Sequence, residues 1–389
     1  MLVVGQTPPP ITGQAVVVAQ ILKSDFPDIS LRHVPMRFSA ELSDIGRFQW
    51  RKLFELARVV ALIVWARLRW RPEILFYPPA GGNAIPAARD VVILLLTRWM
   101  FRFTVFHFHA RGLAKLYDRS PAWARPFLRL AYFDADLAIR PAQAGGDDAA
   151  RLRARHVAVI PNGVPDESGS AYIGRKDSPV TLLYLSKVSE PKGIVTLLDA
   201  LSVVAAARPG SVSLNVVGPF ASAEFRSRVE RRIHDLGLQE IVTLSGELSG
   251  RAKSEAYAAA DIFCFPSVHP TESFGLVAIE AMSFGLPVVA ADWGGINDIV
   301  QDGTTGLLFP PRDHVGLARA LDRLIAEPAL RAAMGQRARE RYLAEYTVDR
   351  FRERLAAALR TLSAAVAEQE PRGSGQGRVL AGQINGAGD

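Results

Sequence analysis

His269-Pro-Thr-Glu-Ser-Phe-Gly-Leu-Val-Ala-Ile-Glu-Ala-Met-Ser-Phe-Gly-Leu-Pro-Val-Val-Ala290 sets two carboxylates, Glu272 and Glu280, in an otherwise small and apolar run. Just upstream, Asp261-Ile-Phe-Cys-Phe-Pro266 reads as a short buried strand closed by proline. Thr271 or Ser273 can cap a helix from about Phe274 to Ser283, with Gly285 ending it. Pro287-Val-Val-Ala290 then opens the next strand. Glu272 therefore sits in the loop after a strand, at or just before a helix N-terminus, and Glu280 sits within the helix.

If the segment were helical throughout, eight residues between the two glutamates would rise about 12 Å. Glycosidase carboxylate pairs stand roughly 5 to 9.5 Å apart. The pair is better suited to accept hydrogen bonds from two separated parts of one long polyhydroxyl ligand. A nucleotide sugar has that form, with hexose hydroxyls at one end and ribose hydroxyls at the other. The plainer alternative is that Glu272 favours a helix dipole and Glu280 is solvated. A nearly all-apolar helix makes a solvated face hard to arrange.

Upstream, Val180-Thr-Leu-Leu-Tyr-Leu-Ser-Lys187 is a strand, and Ile194 to Ala207 a helix. Between them, Lys187-Val-Ser-Glu-Pro-Lys192-Gly193 puts two cations and a glycine at a strand-to-helix turn. Such a turn is suited to clamp a diphosphate. At the start of the chain, Leu2 to Gly5 is a strand, Gly5 to Gly13 a loop and Gln14 to Lys23 a helix. Here too the helix N-terminus offers free N–H groups to phosphate. Glu73 to Tyr77 is a strand, Pro86 to Met100 a helix, and Phe103-Thr-Val-Phe-His-Phe-His109 another strand. This alternation argues for parallel sheets with right-handed crossovers. In such sheets ligands bind beyond the carboxyl ends of strands, where His109 falls. His107, two residues back on the same face, reads as a satisfied core histidine.

The 389 residues are 49% hydrophobic and 22% charged, enough for two packed domains. Cys264, the single cysteine, reads as a buried thiol in a reducing compartment, and the His and Cys pattern offers no zinc site. Met1-Leu-Val-Val runs straight into a strand, so no signal peptide is read there. Residues 1–165 carry 22 Lys+Arg against 12 Asp+Glu, and the rest 24 against 27, within a formal net charge of +7. A basic first half suggests an anionic surface or substrate. No nucleic-acid recognition motif accompanies the charge, so no nucleic-acid partner is expected.

Gly46 to Arg71 is a basic amphipathic segment, with Trp50, Trp65 and Trp70 set among arginines. Its apolar run between Arg58 and Arg67 is far short of the ~20 residues a spanning helix needs. It suits a helix lying in a membrane interface, or else one packed on its domain sheet with a basic outer face.

Glu272-x7-Glu280 followed by Ala281-Met-Ser-Phe-Gly-Leu-Pro-Val-Val-Ala290 resembles the signature of the family 4 retaining glycosyltransferases. Their GT-B fold sets two Rossmann-like α/β domains against a central cleft. Pro9-Pro-Ile-Thr-Gly13-Gln14 resembles the family's Pro-Pro-x-x-Gly-Gly loop with one glycine kept. Ser186-Lys187…Lys192-Gly193 stands where the family has Gly-Arg…Lys-Gly. Gly246-Glu-Leu248 resembles the loop facing the nucleobase. Gly294-Gly-Ile-Asn-Asp298 departs from Gly-Gly-Ile-Pro-Glu at Asn297 and Asp298.

The resemblance implies sugar transfer from an NDP-sugar with retention, needing neither metal nor cofactor. Lys192 and Lys187 would meet the diphosphate together with Gly13. Glu272 would orient the donor sugar and Glu280 the ribose, with His109 near the sugar's far hydroxyls and Phe274, Gly275 and Leu276 lining the donor. The acceptor is expected to be a lipid-linked or growing cell-surface glycan. A cytoplasmic enzyme, peripheral on the inner face of the plasma membrane, fits the basic half. Expected boundaries are an acceptor domain 1–165, a linker 166–178, a donor domain 179–347, a helix 348–366 crossing back, and a disordered tail 367–389. An NDP-sugar epimerase of the same fold, or a non-catalytic nucleotide-sugar binder, are the alternatives.

Overall fold

The computed structural model describes residues 1–369 apart from 11, 27–28, 39–49, 145 and 169–178. Most of the expected linker and residues 370–389 of the expected tail lie outside the described residues. Short runs rich in Val, Ile, Leu and Phe build two six-stranded parallel sheets. The first holds β1 (Leu2–Gly5), β2 (Arg32–Pro35), β3 (Ile74–Tyr77), β4 (Phe103–His107), β5 (Leu137–Arg140) and β6 (His156–Val159), ordered β2-β1-β3-β4-β5-β6. The second holds β7 (Val180–Leu185), β8 (Val212–Val217), β9 (Val242–Gly246), β10 (Ile262–Phe265), β11 (Val288–Ala291) and β12 (Gly306–Phe309), ordered β12-β11-β10-β7-β8-β9. With helices between the strands, these are the two Rossmann-like domains of a GT-B fold.

Parallel strands must be covered on both faces, and alternate residues show it. In β10, Ile262 and Cys264 join one buried cluster of the second domain, while Phe263 and Phe265 join the other. In β1, Leu2 and Val4 face one cluster of the first domain and Val3 the opposite one. Burial pushes the Cys264 thiol above its usual pKa range, so it is a packing residue.

Two switch points follow from the strand orders. Strand order reverses between β1 and β3 in the first sheet, and between β7 and β10 in the second. Loops leaving neighbouring strands at such a point run to opposite faces and open a crevice at the carboxyl end of the sheet. The loops after β7 and β10 are those that carry Lys192 and Glu272.

The last helix, Val348–Gln369, runs three residues past its expected end. Phe351, Leu355 and Leu359 are fully buried with Val3, Val17, Ile21 and Ile139 of the first domain. The first sheet's strand β4 stops at His107, so His109 lies two residues beyond its end. His107 is buried, but neither ring nitrogen has a hydrogen-bond partner, so it is not the satisfied histidine expected. Its ring is instead packed between Phe76, His109 and Phe351.

Candidate functional site

The loop after β7 tightens into a 3-10 turn, Glu190–Lys192, and then Gly193 takes φ +79° before the helix Ile194–Ala207. A Cβ on Gly193 would lie 2.1 Å from the Pro266 carbonyl oxygen, so only glycine lets this turn meet the loop after β10. Val188–Phe220 and Val268–Pro191 backbone contacts fasten the turn on both sides. Lys192 is thereby held so that its Nζ lies 2.5 Å from Glu272 Oε2, both side chains mostly buried. Ser267 Oγ donates to the same carboxylate oxygen at 3.0 Å. The two residues singled out on opposite loops form one pair at the second switch point. Lys187 is exposed at the end of the same strand.

His269 begins the loop that carries Glu272. Burial, then Lys192 and Lys187, push its pKa below the usual histidine range, against an upward pull from Glu272. Trp293 Nε1 donates to the His269 carbonyl at 3.0 Å and closes the loop from the far side.

The capping expectation is corrected. The helix runs Leu276–Ser283, its cap is Gly275 at φ +148°, and no side chain caps it. Thr271 Oγ1 instead meets His269 Nδ1 at 3.0 Å, and Ser273 Oγ donates to the His109 carbonyl at 2.6 Å. The Ser273 bond crosses between the domains, which is what diverts it from capping. Glu272 is thus outside the helix, so the 12 Å separation of a continuous helix does not apply. Phe274 is buried against Tyr346, which leaves its backbone as what it can offer a ligand. Gly13 faces Leu276 across the cleft, with 3.3 Å from a built Cβ to Leu276 Cδ1. The N-termini of the Gly13–Lys23 and Leu276–Ser283 helices therefore approach one another.

Glu280 is half-buried and already has partners. Lys253 Nζ lies 2.7 Å from it and Tyr257 O–H donates to Oε2 at 2.8 Å. Both come from the helix Gly250–Ala258, which sequence reasoning passed over. A Lys and a Tyr one turn apart on a helix are too common to signal a site. Gly246 ends β9 at φ +70°, and Leu248 packs on the edge of the second-domain core.

His109 completes the first-domain side. Burial pushes its imidazole down to about 3, so it is neutral through the physiological range, and its Nε2 has no hydrogen-bond partner. In the same domain, Asp90 is fully buried and accepts from Tyr77 O–H and the Ala80 N–H, both at 2.7 Å, while pairing with Arg89. This fixes the loop after β3, whose Gly82 leans on the Gly112 carbonyl. Asp298, a departure from the resembled motif, accepts from the Ala144 N–H at 2.8 Å and so joins the domains. Among the described residues no group of three or more His, Cys, Asp or Glu side chains could hold a metal ion.

In two-domain α/β proteins of this kind ligands bind in the crevice at a switch point, which is where the cation–carboxylate pair stands. Residues 170–341 match the family model described as "Glycosyl transferases group 1". The match makes residues 170–341 similar to the sugar-transferring domain of that family. It is 35% identical over 195 residues to the phosphatidyl-myo-inositol mannosyltransferase of Mycobacterium leprae, covering 47% of this chain and 49% of that one. It is 30% identical over 292 residues to the sulfoquinovosyl transferase of Arabidopsis thaliana, covering 70% and 53%. The chain spans about half the length of the curated relatives it matches. Among solved structures, sucrose-phosphate synthase from Thermosynechococcus elongatus superposes with a TM-score of 0.72 at 22% identity, over 94% of this chain and 99% of that one. Anabaena HepE, solved with UDP and glucose, gives 0.70 at 22%, over 92% and 99%. At that identity the likeness is one of fold.

Proposed function

We propose that this chain transfers a sugar from an NDP-sugar to an acceptor, with retention of configuration and without a metal ion. The observation that carries the reading is the Lys192–Glu272 pair at the second switch point, on a loop whose following residues Ser273 and Leu276 meet His109 and Gly13 of the first domain. The leaving group is a nucleoside diphosphate, so the barrier falls when fixed positive charge meets its developing negative charge. Lys192 and Lys187 supply that charge, and the helix N-termini at Gly13 and Gly275 add to it. Glu272, released by Lys192 as phosphate arrives, accepts from hydroxyls of the transferred sugar. Glu280 accepts from the ribose, in place of or together with Lys253. His109, held neutral, hydrogen-bonds a sugar hydroxyl without contributing charge. Retention and metal independence rest on the resemblance to family 4 and on this supply of cations.

The names of the relatives support the class of reaction. Two name transfer of a sugar, mannosyl and sulfoquinovosyl, and the first names a phosphatidyl-inositol lipid as its acceptor. The HepE structure holds UDP and glucose, the products of splitting an NDP-sugar. We take the acceptor here to be a lipid-linked or growing glycan, met at a membrane surface on the cytoplasmic side.

The test is turnover. The protein is incubated with a panel of NDP-sugars, chosen first by thermal shift, with and without lipid-linked acceptors. Acceptor-dependent release of NDP, with the sugar recovered on the lipid as the donor's anomer, is expected. Conversion of the NDP-sugar with no acceptor would identify an epimerase instead, and binding without turnover a non-catalytic relative.

A further inference from the structure

We propose that the first domain docks on anionic lipid bilayers through a broad face built by three packed helices. The segment Trp50–Trp70 supplies only one edge of it. That helix is apolar on two sides. Val59, Ile63 and Ala66 are buried in the domain core. The outward residues Phe54, Ala57, Ala61, Trp65 and Leu68 follow helical spacing, and Phe54 is 80% exposed. The outer face is therefore not the basic one that an ordinary surface helix would show.

The same arrangement repeats on the next two helices. On Ala84–Thr97 and the turn Arg98–Met100, Ile85, Ala88, Val92, Leu96 and Trp99 face outward at three- and four-residue steps, and Trp99 is 77% exposed. Around Arg125–Tyr132, Trp123, Phe127 and Leu130 do so, at 74%, 50% and 68%. Side-chain bonds lace the three into one surface. Arg67 Nε donates to the Met100 carbonyl at 2.7 Å, and Arg98 NH1 to the Ala131 carbonyl at 3.0 Å. Ile63, Leu94 and Leu128 from the three inner faces share one buried cluster. Five of the six tryptophans of the chain lie on these helices or the turn beside them. Soluble proteins seldom leave so continuous an apolar face open to water.

Charge chooses the occupant. On the three helices the cations include Arg69, Arg125 and Arg129, which are exposed. The only carboxylates there are Glu55, held by Arg58 at 2.6 Å, and the fully buried Asp90. Apolar rows flanked by arginine, with tryptophan rings between, match the interface of a bilayer bearing anionic headgroups. Against a second copy, the same surface would set arginines on arginines. In a parallel βαβ unit the helices run opposite to the strands, so Ile85 lies toward the cleft and Trp99 away from it. The face therefore reaches the cleft edge, where a lipid-linked acceptor would enter. That last step rests on the proposed function; docking itself does not.

Co-sedimentation of the full chain with phosphatidylglycerol–phosphatidylethanolamine vesicles, and with phosphatidylcholine vesicles, tests it. Trp99→Ser, Trp123→Ser and Leu130→Ser are combined, since all three are exposed and their loss spares the core. Binding to the anionic vesicles is expected, reduced by salt, and lowered about tenfold or more by the triple variant. Arg69→Gln with Arg129→Gln should weaken anionic binding only. Arg67 is left intact because it serves the fold through Met100. The thermal shift given by UDP should be equal in all variants, which separates a failure of docking from a failure of the donor reading. Absence of binding at low salt, or equal binding by the triple variant, overturns the proposal. A lipid-free dimer that the triple variant dissociates would also overturn it and assign the face to self-association.

Discussion

Lys192 and Glu272 lie 80 residues apart in sequence and 2.5 Å apart in space, and neither is fully solvated. Lys192→Ala removes the cation from the leaving group and should lower kcat on the order of 10²-fold or more with the fold intact. Unchanged kcat/KM would reject the assignment. Each single change leaves the other partner uncompensated, so Lys192→Ala and Glu272→Gln should combine with less than additive cost. His109 gives a pH prediction. Its folded pKa, about 3, lies below the 6.5 of the free side chain, so the unfolded state takes up the proton first. The stability it contributes is complete above about pH 6.5 and is lost as pH falls from there toward 3, a few kcal/mol in all. His109→Gln should flatten that part of the stability curve in urea titrations across pH. In kcat/KM of the wild type, no titration near pH 6.5 should arise from this ring. The sequence made Lys192 and Glu272 legible because each follows a strand and precedes a helix. It did not reveal Lys253 and Tyr257, whose role comes from a neighbouring helix that carries no signal of its own.

At the scale of elements, two glycines shape the crevice. Gly275 adopts φ +148°, which no side chain tolerates, and Gly193 combines φ +79° with a 2.1 Å approach to Pro266. Gly193→Ala should destabilise by about 1–3 kcal/mol and displace Lys192, so that UDP binding weakens along with thermal stability. Retained UDP affinity in a destabilised protein would show that the turn does not position the cation. The strands and helices that flank the two switch points were legible from period and turn residues. Edge strand β2 was not, because only Val34 of Arg32–Pro35 is buried and one buried residue is too few to set a period. The outward rows of the helices Ala84–Thr97 and Arg125–Tyr132 were hidden for the opposite reason. A helix apolar on both sides reads as a core helix until its neighbours show which side is covered. Asp90 was hidden too, since a helical aspartate is ordinarily placed in water, yet here it anchors Tyr77 and the Ala80 loop.

On the whole molecule, the last helix ties the chain's end to its beginning. Phe351 is fully buried against the first domain and stacks near His107, their ring centres 6.1 Å apart. Phe351→Ala should cost about 3–5 kcal/mol of unfolding free energy. A loss under about 1 kcal/mol in denaturant melts would mean that the helix is not part of that core. The two domains also meet through Ser273–His109 and Asp298–Ala144, contacts between loops remote in sequence that no local pattern could announce. What sequence did convey was the order of strands and loops, and through it the place of the crevice.

The central claim is that one ligand spans the crevice, its sugar at Glu272 and its ribose at Glu280. Calorimetric titration of UDP and of the NDP-sugar that stabilises the protein most, into the wild type, Glu272→Gln and Glu280→Gln, tests it directly. Glu280→Gln should weaken both ligands, while Glu272→Gln should weaken the NDP-sugar and spare UDP. The same pattern in both variants would contradict the claim.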